Sequence, residues 1–124
     1  RGKERDRLKV VYDQIGVPTY ARNLAGFIIS SLQSINHLKK PETYHYSNEG
    51  VASWYDFAKA VIEFANIDCK IEAIETKDYP TPAKRPSYSV MNKFRIKKDF
   101  NIEIDYWRDS LRSCIERIKD GQRV

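Results

Sequence analysis

The run YPTPAKRPSYSVMN, Tyr79 to Asn92, limits this chain more than any other segment, because Pro80, Pro82 and Pro86 exclude it from helix interiors and from the middle of a sheet. Each proline fixes its own φ and biases the preceding residue toward extended backbone. The stretch therefore reads as a stiffened loop that holds Arg85 and the hydroxyls of Thr81, Ser87, Tyr88 and Ser89 partly pre-arranged. A guanidinium among hydroxyls suits phosphate, which arginine grips with two parallel hydrogen bonds. The same residues also fit a proline-rich surface connection whose arginine is merely solvated, and the loop alone does not decide between the two.

The rest of the chain reads as a globular domain, or a piece of one. With 124 residues, 41% hydrophobic and 12% aromatic, it has enough apolar side chain for a core and is not disordered. The excess of 22 Lys and Arg over 17 Asp and Glu favours anionic partners, but the cations are interleaved with acids along amphipathic segments, a poor match to a nucleic-acid surface. No apolar run reaches bilayer-spanning length and the opening residues carry no signal-peptide core, so no membrane partner is expected and a cytoplasmic location follows. Cys69 and Cys114 lack metal or disulfide spacing and read as free buried thiols; His37 and His45 lack ligand-like partners, so no metal site is expected.

Along the chain, RGKERDRLK reads as the tail of a helix cut from something longer. Leu8 to Tyr12 reads as a strand, closed by the turn residues of DQIGVPT. A helix capped by Thr19 follows, with Leu24, Phe27, Ile28, Leu32 and Ile35 in one apolar stripe and Lys39, Lys40 and Pro41 as its stop. TYHYS, Thr43 to Ser47, has strand composition and Asn48-Glu49-Gly50 that of a turn. Ser53 and Asp56 form a capping box for a helix packing through Trp54, Phe57, Ala58, Val61, Ile62 and Ala65. Cys69 to Thr76 reads as a strand, Asn92 as the cap of a short helix carrying Phe94 and Ile96, and a last helix from about Asp105 presents Trp107, Leu111, Cys114, Ile115 and Ile118, with Gly121 at its C-cap. The expectation is an α/β fold with about four helices and few short strands, some of which pair with strands not present here.

No Gly-rich phosphate loop, GxSxG or HExxH is present, and the chain does not read as a self-sufficient enzyme. Asp13, Gln14, Gly16, Pro18 and Thr19 form a second polar cluster at a strand-to-helix corner, a place that fits turn chemistry and also anion binding. Tyr44, Tyr46, Trp54 and Tyr55 have the chemistry to stack on a base or sugar, and equally that of core packing.

Three blocks, VVYDQIGVPTYARNLA, YHYSNEGVASWYDFAKAV and YPTPAKRPSYSVMNKFRI, followed by YWRDSL, closely resemble the C-terminal portion of the dTDP-4-dehydrorhamnose reductases, which are extended short-chain dehydrogenases/reductases. The blocks come in the family's order and cover nearly the whole chain. The resemblance implies that residues 1–124 are the substrate-binding portion, with an N-terminal Rossmann domain missing and with it the NAD(P)H fingerprint and the Tyr-x-x-x-Lys proton donor. No catalytic and no cofactor-binding residue is then expected in this chain. The implied reaction of the whole protein is reduction of dTDP-4-dehydro-L-rhamnose to dTDP-L-rhamnose by NADPH or NADH, a step toward cell-wall polysaccharide. By the same analogy Arg85 lies on an Arg-Pro motif facing the diphosphate, Gln14, Pro18 and Thr19 on a DQ-x-G-x-PT motif near the substrate, and Ser89 beside them. Tyr12 stands where the family often has an acidic or amide residue, and Met91 where leucine is usual. A divalent cation between subunits is left open, a homo-oligomer is an expected partner state, and an isolated piece is expected to self-associate through apolar surface that once faced the Rossmann domain. The rival reading is a reductase-like regulatory subunit, similar to that of methionine adenosyltransferase, acting through a partner enzyme.

Overall fold

The computed structural model describes residues 7–35 and 40–121. The chain start RGKERD and the helix stop at Lys39 lie outside the described residues. Strand β1, Arg7–Val11, pairs in parallel with β4, Lys70–Ile74, in a register that sets Leu8 against Ile71 and Val11 against Ile74. A second two-stranded sheet is antiparallel and minimal: β2, Ile15–Gly16, pairs with β3, Ala52–Ser53. Helix α1 spans Ala21–Ile35, α2 Trp54–Ala65, α3 Phe94–Phe100 and α4 Trp107–Lys119. The α/β class and the four helices agree with the sequence reading.

The core lies where α2 crosses α4 and covers the β1–β4 pair. Ala52, Ala60, Trp107, Leu111 and Ile115 are buried together, with Val17, Phe57, Val61, Phe64 and Ala65 packed around them. The start of α2 is fixed as expected: the Asp56 amide donates to Ser53 Oγ at 3.0 Å and the Ser53 amide donates to the Asp56 carboxylate at 3.0 Å. Asn66 in the left-handed region closes its other end. A separate aromatic cluster joins α1 to α3: Phe27 stacks on Tyr46 with centroids 5.5 Å apart, and Phe100 meets Phe27 and Tyr44 edge-on.

Three expectations are corrected here. Residues 43–47 form no strand; Tyr44 and Tyr46 are consumed by the aromatic cluster, and Ser47 and Asn48 are buried, so the segment is held by side chains in place of a ladder. Thr19 does not cap α1. Its hydroxyl makes only a long contact with the Val17 carbonyl, 3.4 Å, while the Tyr20 amide just before α1 donates to Asn48 Oδ1 at 2.8 Å. The apolar stripe of α1 is largely uncovered, since Leu24 and Phe27 are half-buried but Ile28, Ile29 and Leu32 stay exposed. Asn92, by contrast, does serve the start of α3, accepting from the Phe94 amide at 2.8 Å one residue ahead of the true cap, Lys93.

Asn48 ties the helices together. Wholly buried, it accepts from the Tyr20 amide and donates through Nδ2 to the Asp105 carbonyl at 3.0 Å and to Ser110 Oγ at 2.9 Å. Its own carbonyl accepts from the buried Lys93 ammonium at 3.1 Å, and that ammonium also lies 3.4 Å from Glu49. Gly50 follows with φ +88°, and a Cβ there would run into the Tyr106 and Trp107 rings, so the turn admits only glycine. Asn48→Ala leaves the Tyr20 amide without its acceptor and the Asp105 carbonyl and Ser110 hydroxyl without their donor, at roughly 1–3 kcal/mol for each buried group. It is expected to cost on the order of 3 kcal/mol of unfolding free energy, read as a lower urea midpoint at unchanged slope; a loss below about 0.5 kcal/mol would remove Asn48 from this role.

Candidate functional site

The strand-to-helix corner and the proline loop, about seventy residues apart in sequence, are bonded to each other. The Ile15 amide donates to the Ser87 carbonyl at 2.8 Å, and the Ile15 carbonyl accepts from the Ser89 amide at 2.9 Å and from Ser89 Oγ at 3.2 Å. Tyr88 thereby forms a parallel bridge with Ile15, while Ile15 pairs on its other side with Ser53. The loop can approach this closely because the next residue is Gly16, where a Cβ would sit 2.9 Å from Ser89 Oγ.

A second fastening holds the corner to the end of β4. The Asp13 carboxylate accepts from the Thr76 amide at 2.9 Å and from Thr76 Oγ1 at 2.7 Å, and Gln14 Nε2 donates to the same hydroxyl at 3.1 Å. The Thr76 hydroxyl bond is the largest influence on Asp13 and draws its pKa below the ordinary value of 3.8.

Between corner, loop and the start of α2 lie two adjoining clefts. The first, about 220 Å³, is walled by the backbone of Ile15 to Val17 and by Pro18, Trp54, Phe57, Pro86 and Ser89. The second, about 230 Å³, runs over the carboxyl end of β1 and is lined by Lys9, Val10, Val11, Tyr79 and Thr81. Gln14, Trp54 and Arg85 line both. The Arg85 side chain is exposed and makes no hydrogen bond or ion pair within the described residues, and the same holds for the Lys9 side chain. Two uncommitted cations therefore face the second cleft, and Arg85 is the single charged side chain lining the first.

Of the residues singled out from sequence, Arg85, Gln14, Pro18 and Ser89 come together at the first cleft. Thr19 does not; with Tyr20, Trp107, Leu111 and Cys114 it lines a separate cleft on the far side of Pro18, Trp54 and Phe57. Gln14 is buried with its amide nitrogen spent on Thr76, and the Ser89 hydroxyl is directed at Ile15, so both brace the walls. Lys9 carries no signal in the sequence, because a lone strand lysine has none until the fold brings it beside Arg85 and Pro86. The spacing Tyr-x-x-x-Lys does occur once, as Tyr55 to Lys59 within α2, but neither residue lines these clefts. No group of three or more His, Cys, Asp or Glu side chains among the described residues could hold a metal ion. No helix among them is long and apolar enough to cross a membrane.

Residues 1–120 match the family described as "RmlD substrate binding domain". The chain belongs to this family. A dTDP-4-dehydrorhamnose reductase of Aggregatibacter actinomycetemcomitans is 39% identical over 119 residues, covering 90% of this chain and 40% of that protein. The crystal structure of a dTDP-4-dehydrorhamnose reductase from Clostridium acetobutylicum superposes with TM-score 0.87 at 35% identity, over 95% of this chain and 41% of its own. That of Bacillus anthracis, in complex with NADP, superposes with TM-score 0.79 at 31% identity, over 98% of this chain and 40% of its own. As an RmlD substrate-binding domain, the chain spans about two fifths of the length of the reductases it resembles. Its five glycines nowhere take the GxGxxG spacing that cradles a dinucleotide.

Two tests follow from the fastenings of this domain. Because the Asp13 pKa lies lower in the folded than in the unfolded chain, its stabilisation is present in full above the unfolded value and is lost as pH falls through the folded one. Unfolding free energy should fall below about pH 4, and Asp13→Asn should flatten that part of the profile; an unaltered profile would contradict the bond. At the other fastening, Gly16→Ala is expected to destabilise by about 1 kcal/mol, and Ser89→Ala in the same chain to relieve most of that cost. Strict additivity of the two changes would show that the loop does not press on Gly16.

Proposed function

We propose that this chain is the nucleotide-sugar-binding portion of a dTDP-4-dehydrorhamnose reductase, the remaining three fifths of which supply the Rossmann domain, the NAD(P)H site and the proton donor. The whole protein would reduce the C4 ketone of dTDP-4-dehydro-L-rhamnose to give dTDP-L-rhamnose, with hydride from NAD(P)H, in the cytoplasm. The observation that carries the reading is an arginine with no hydrogen-bond or ion-pair partner among the described residues, held on a braced loop between two clefts, in a chain whose family is a substrate-binding domain. Arg85 takes the diphosphate, its planar fork matching two phosphate oxygens. Lys9 adds a second positive charge on the side of the second cleft, which lies over the carboxyl end of a parallel strand, where open α/β sheets bind their ligands. The keto-sugar therefore belongs in the second cleft, toward the missing domain, and Gln14, Pro18 and Ser89 shape the approach. The three relatives named above are reductases by name, which favours this reading over the regulatory subunit.

Arg85→Ala in the intact protein is expected to weaken binding of the dTDP-sugar by roughly 1.5–3 kcal/mol, the range for a hydrogen bond to a charged group, with the fold unchanged by circular dichroism. Calorimetric titration reads this directly. Unchanged affinity would return Arg85 to solvent, and loss of folding would make it structural.

A further inference from the structure

The cleft on the far side of Pro18, Trp54 and Phe57 takes no part in the reading of the Arg85 clefts. It measures about 220 Å³, somewhat more than the roughly 150 Å³ of an apolar cavity that holds a benzene ring. Three helices build it: Tyr20 comes from the approach to α1, Trp54 and Phe57 from the start of α2, and Trp107, Leu111 and Cys114 from α4. No charged side chain lines it, and burial pushes the Cys114 thiol above its ordinary value of 9.0, so the lining is uncharged near neutral pH.

Two residues of this lining carry a polar atom with nothing to bond. The Trp107 indole N–H and the Tyr20 hydroxyl are both buried and have no hydrogen-bond partner among the described residues; Trp107 as a whole is only 5% exposed. Buried indole and phenol groups ordinarily find a partner, and an orphan in a folded chain calls for an explanation. Neither backbone is free to carry its side chain elsewhere, since the Trp107 amide donates to the Glu49 carbonyl at 3.0 Å and the Tyr20 amide to Asn48 Oδ1 at 2.8 Å. Water at the two atoms leaves the half-exposed Trp54 ring uncovered, whereas an apolar body bearing one acceptor serves the atoms and the ring together. We propose that this cleft is an accessory binding site for a small uncharged aromatic molecule with one hydrogen-bond acceptor, its ring against Trp54, Phe57 and Leu111 and its acceptor meeting the orphan groups of Trp107 and Tyr20. The site shares a wall with the first Arg85 cleft and no charged group, so it stands or falls apart from the sugar-nucleotide reading.

The test is a ligand-detected NMR titration of the intact protein with acetophenone, which is one ring with one carbonyl, and with α-methylstyrene, in which a CH2 replaces the oxygen. Acetophenone is expected to bind saturably and at least about threefold more tightly, because the analogue leaves the orphan groups unpaired. Tyr20→Phe, which deletes only the hydroxyl, should weaken acetophenone by roughly two- to tenfold, the range for one neutral hydrogen bond, and leave α-methylstyrene unchanged. Cys114→Leu, which fills the cleft, should abolish binding of both, and Arg85→Ala should alter neither. Should the leucine variant fail to fold, the contrast of the two probes in Tyr20→Phe still decides. Absence of saturable acetophenone binding overturns the inference. So does equal affinity for the two probes, or wild-type acetophenone affinity in Tyr20→Phe, since either leaves the orphan groups unused. Loss of acetophenone binding in Arg85→Ala also overturns it, by placing the probe in the Arg85 clefts.

Discussion

Everything at the candidate site depends on the pair of backbone hydrogen bonds through which Ile15 captures the proline loop. A solvent-exposed loop interrupted by three prolines, each without an amide to donate, cannot hold itself in one place by a ladder of its own. By giving its amide to Ser87 and its carbonyl to Ser89, Ile15 turns that loop into a short extra strand beside β2, with β3 on the other side. Arg85 is then two residues from a fixed point, and Pro86 limits the one residue that separates it from Ser87. The loop can be this close only because position 16 has no side chain.

Anchoring of the corner itself is polar and distributed. Asp13 and Gln14 converge on Thr76 at the end of β4, and Asn48, across the core, receives the Tyr20 amide at the start of α1. Both devices replace local caps with contacts across tens of residues, so the geometry of the corner is set by tertiary structure and not by the turn sequence. The uncovered side of α1, with Ile28, Ile29 and Leu32 exposed, and the bare two-stranded parallel sheet are the features of this fold that are least satisfied within the described residues. Parallel sheets are ordinarily covered on both faces and paired further, which agrees with a chain that spans two fifths of its relatives.

Much of this architecture was legible in the sequence, and the exceptions have physical causes. The capping box of Ser53 and Asp56, the strands around Val11 and Ile71, and the amphipathic α4 announce themselves by local chemistry and period. Two-residue strands such as Ile15–Gly16 have no period to read. Thr43 to Ser47 has strand composition but gives its aromatic rings to a cluster with α1 and α3, an outcome decided by neighbours far along the chain. Thr19 looked like a cap and a ligand contact together; Asn48 takes the amide, and Pro18 and Trp54 separate Thr19 from the Arg85 clefts. Arg85 and Pro86 are legible from their loop, whereas Lys9 and the position of Trp54 between the clefts become visible only when the loop folds back onto the corner.

The most direct measurement is a crystal structure of the intact protein with the dTDP-sugar bound. The account requires the diphosphate within hydrogen-bonding distance of the Arg85 guanidinium, at the junction of the two clefts beside Gln14 and Trp54. A diphosphate bound elsewhere, with the Arg85 side chain turned to solvent in the liganded protein, would contradict it.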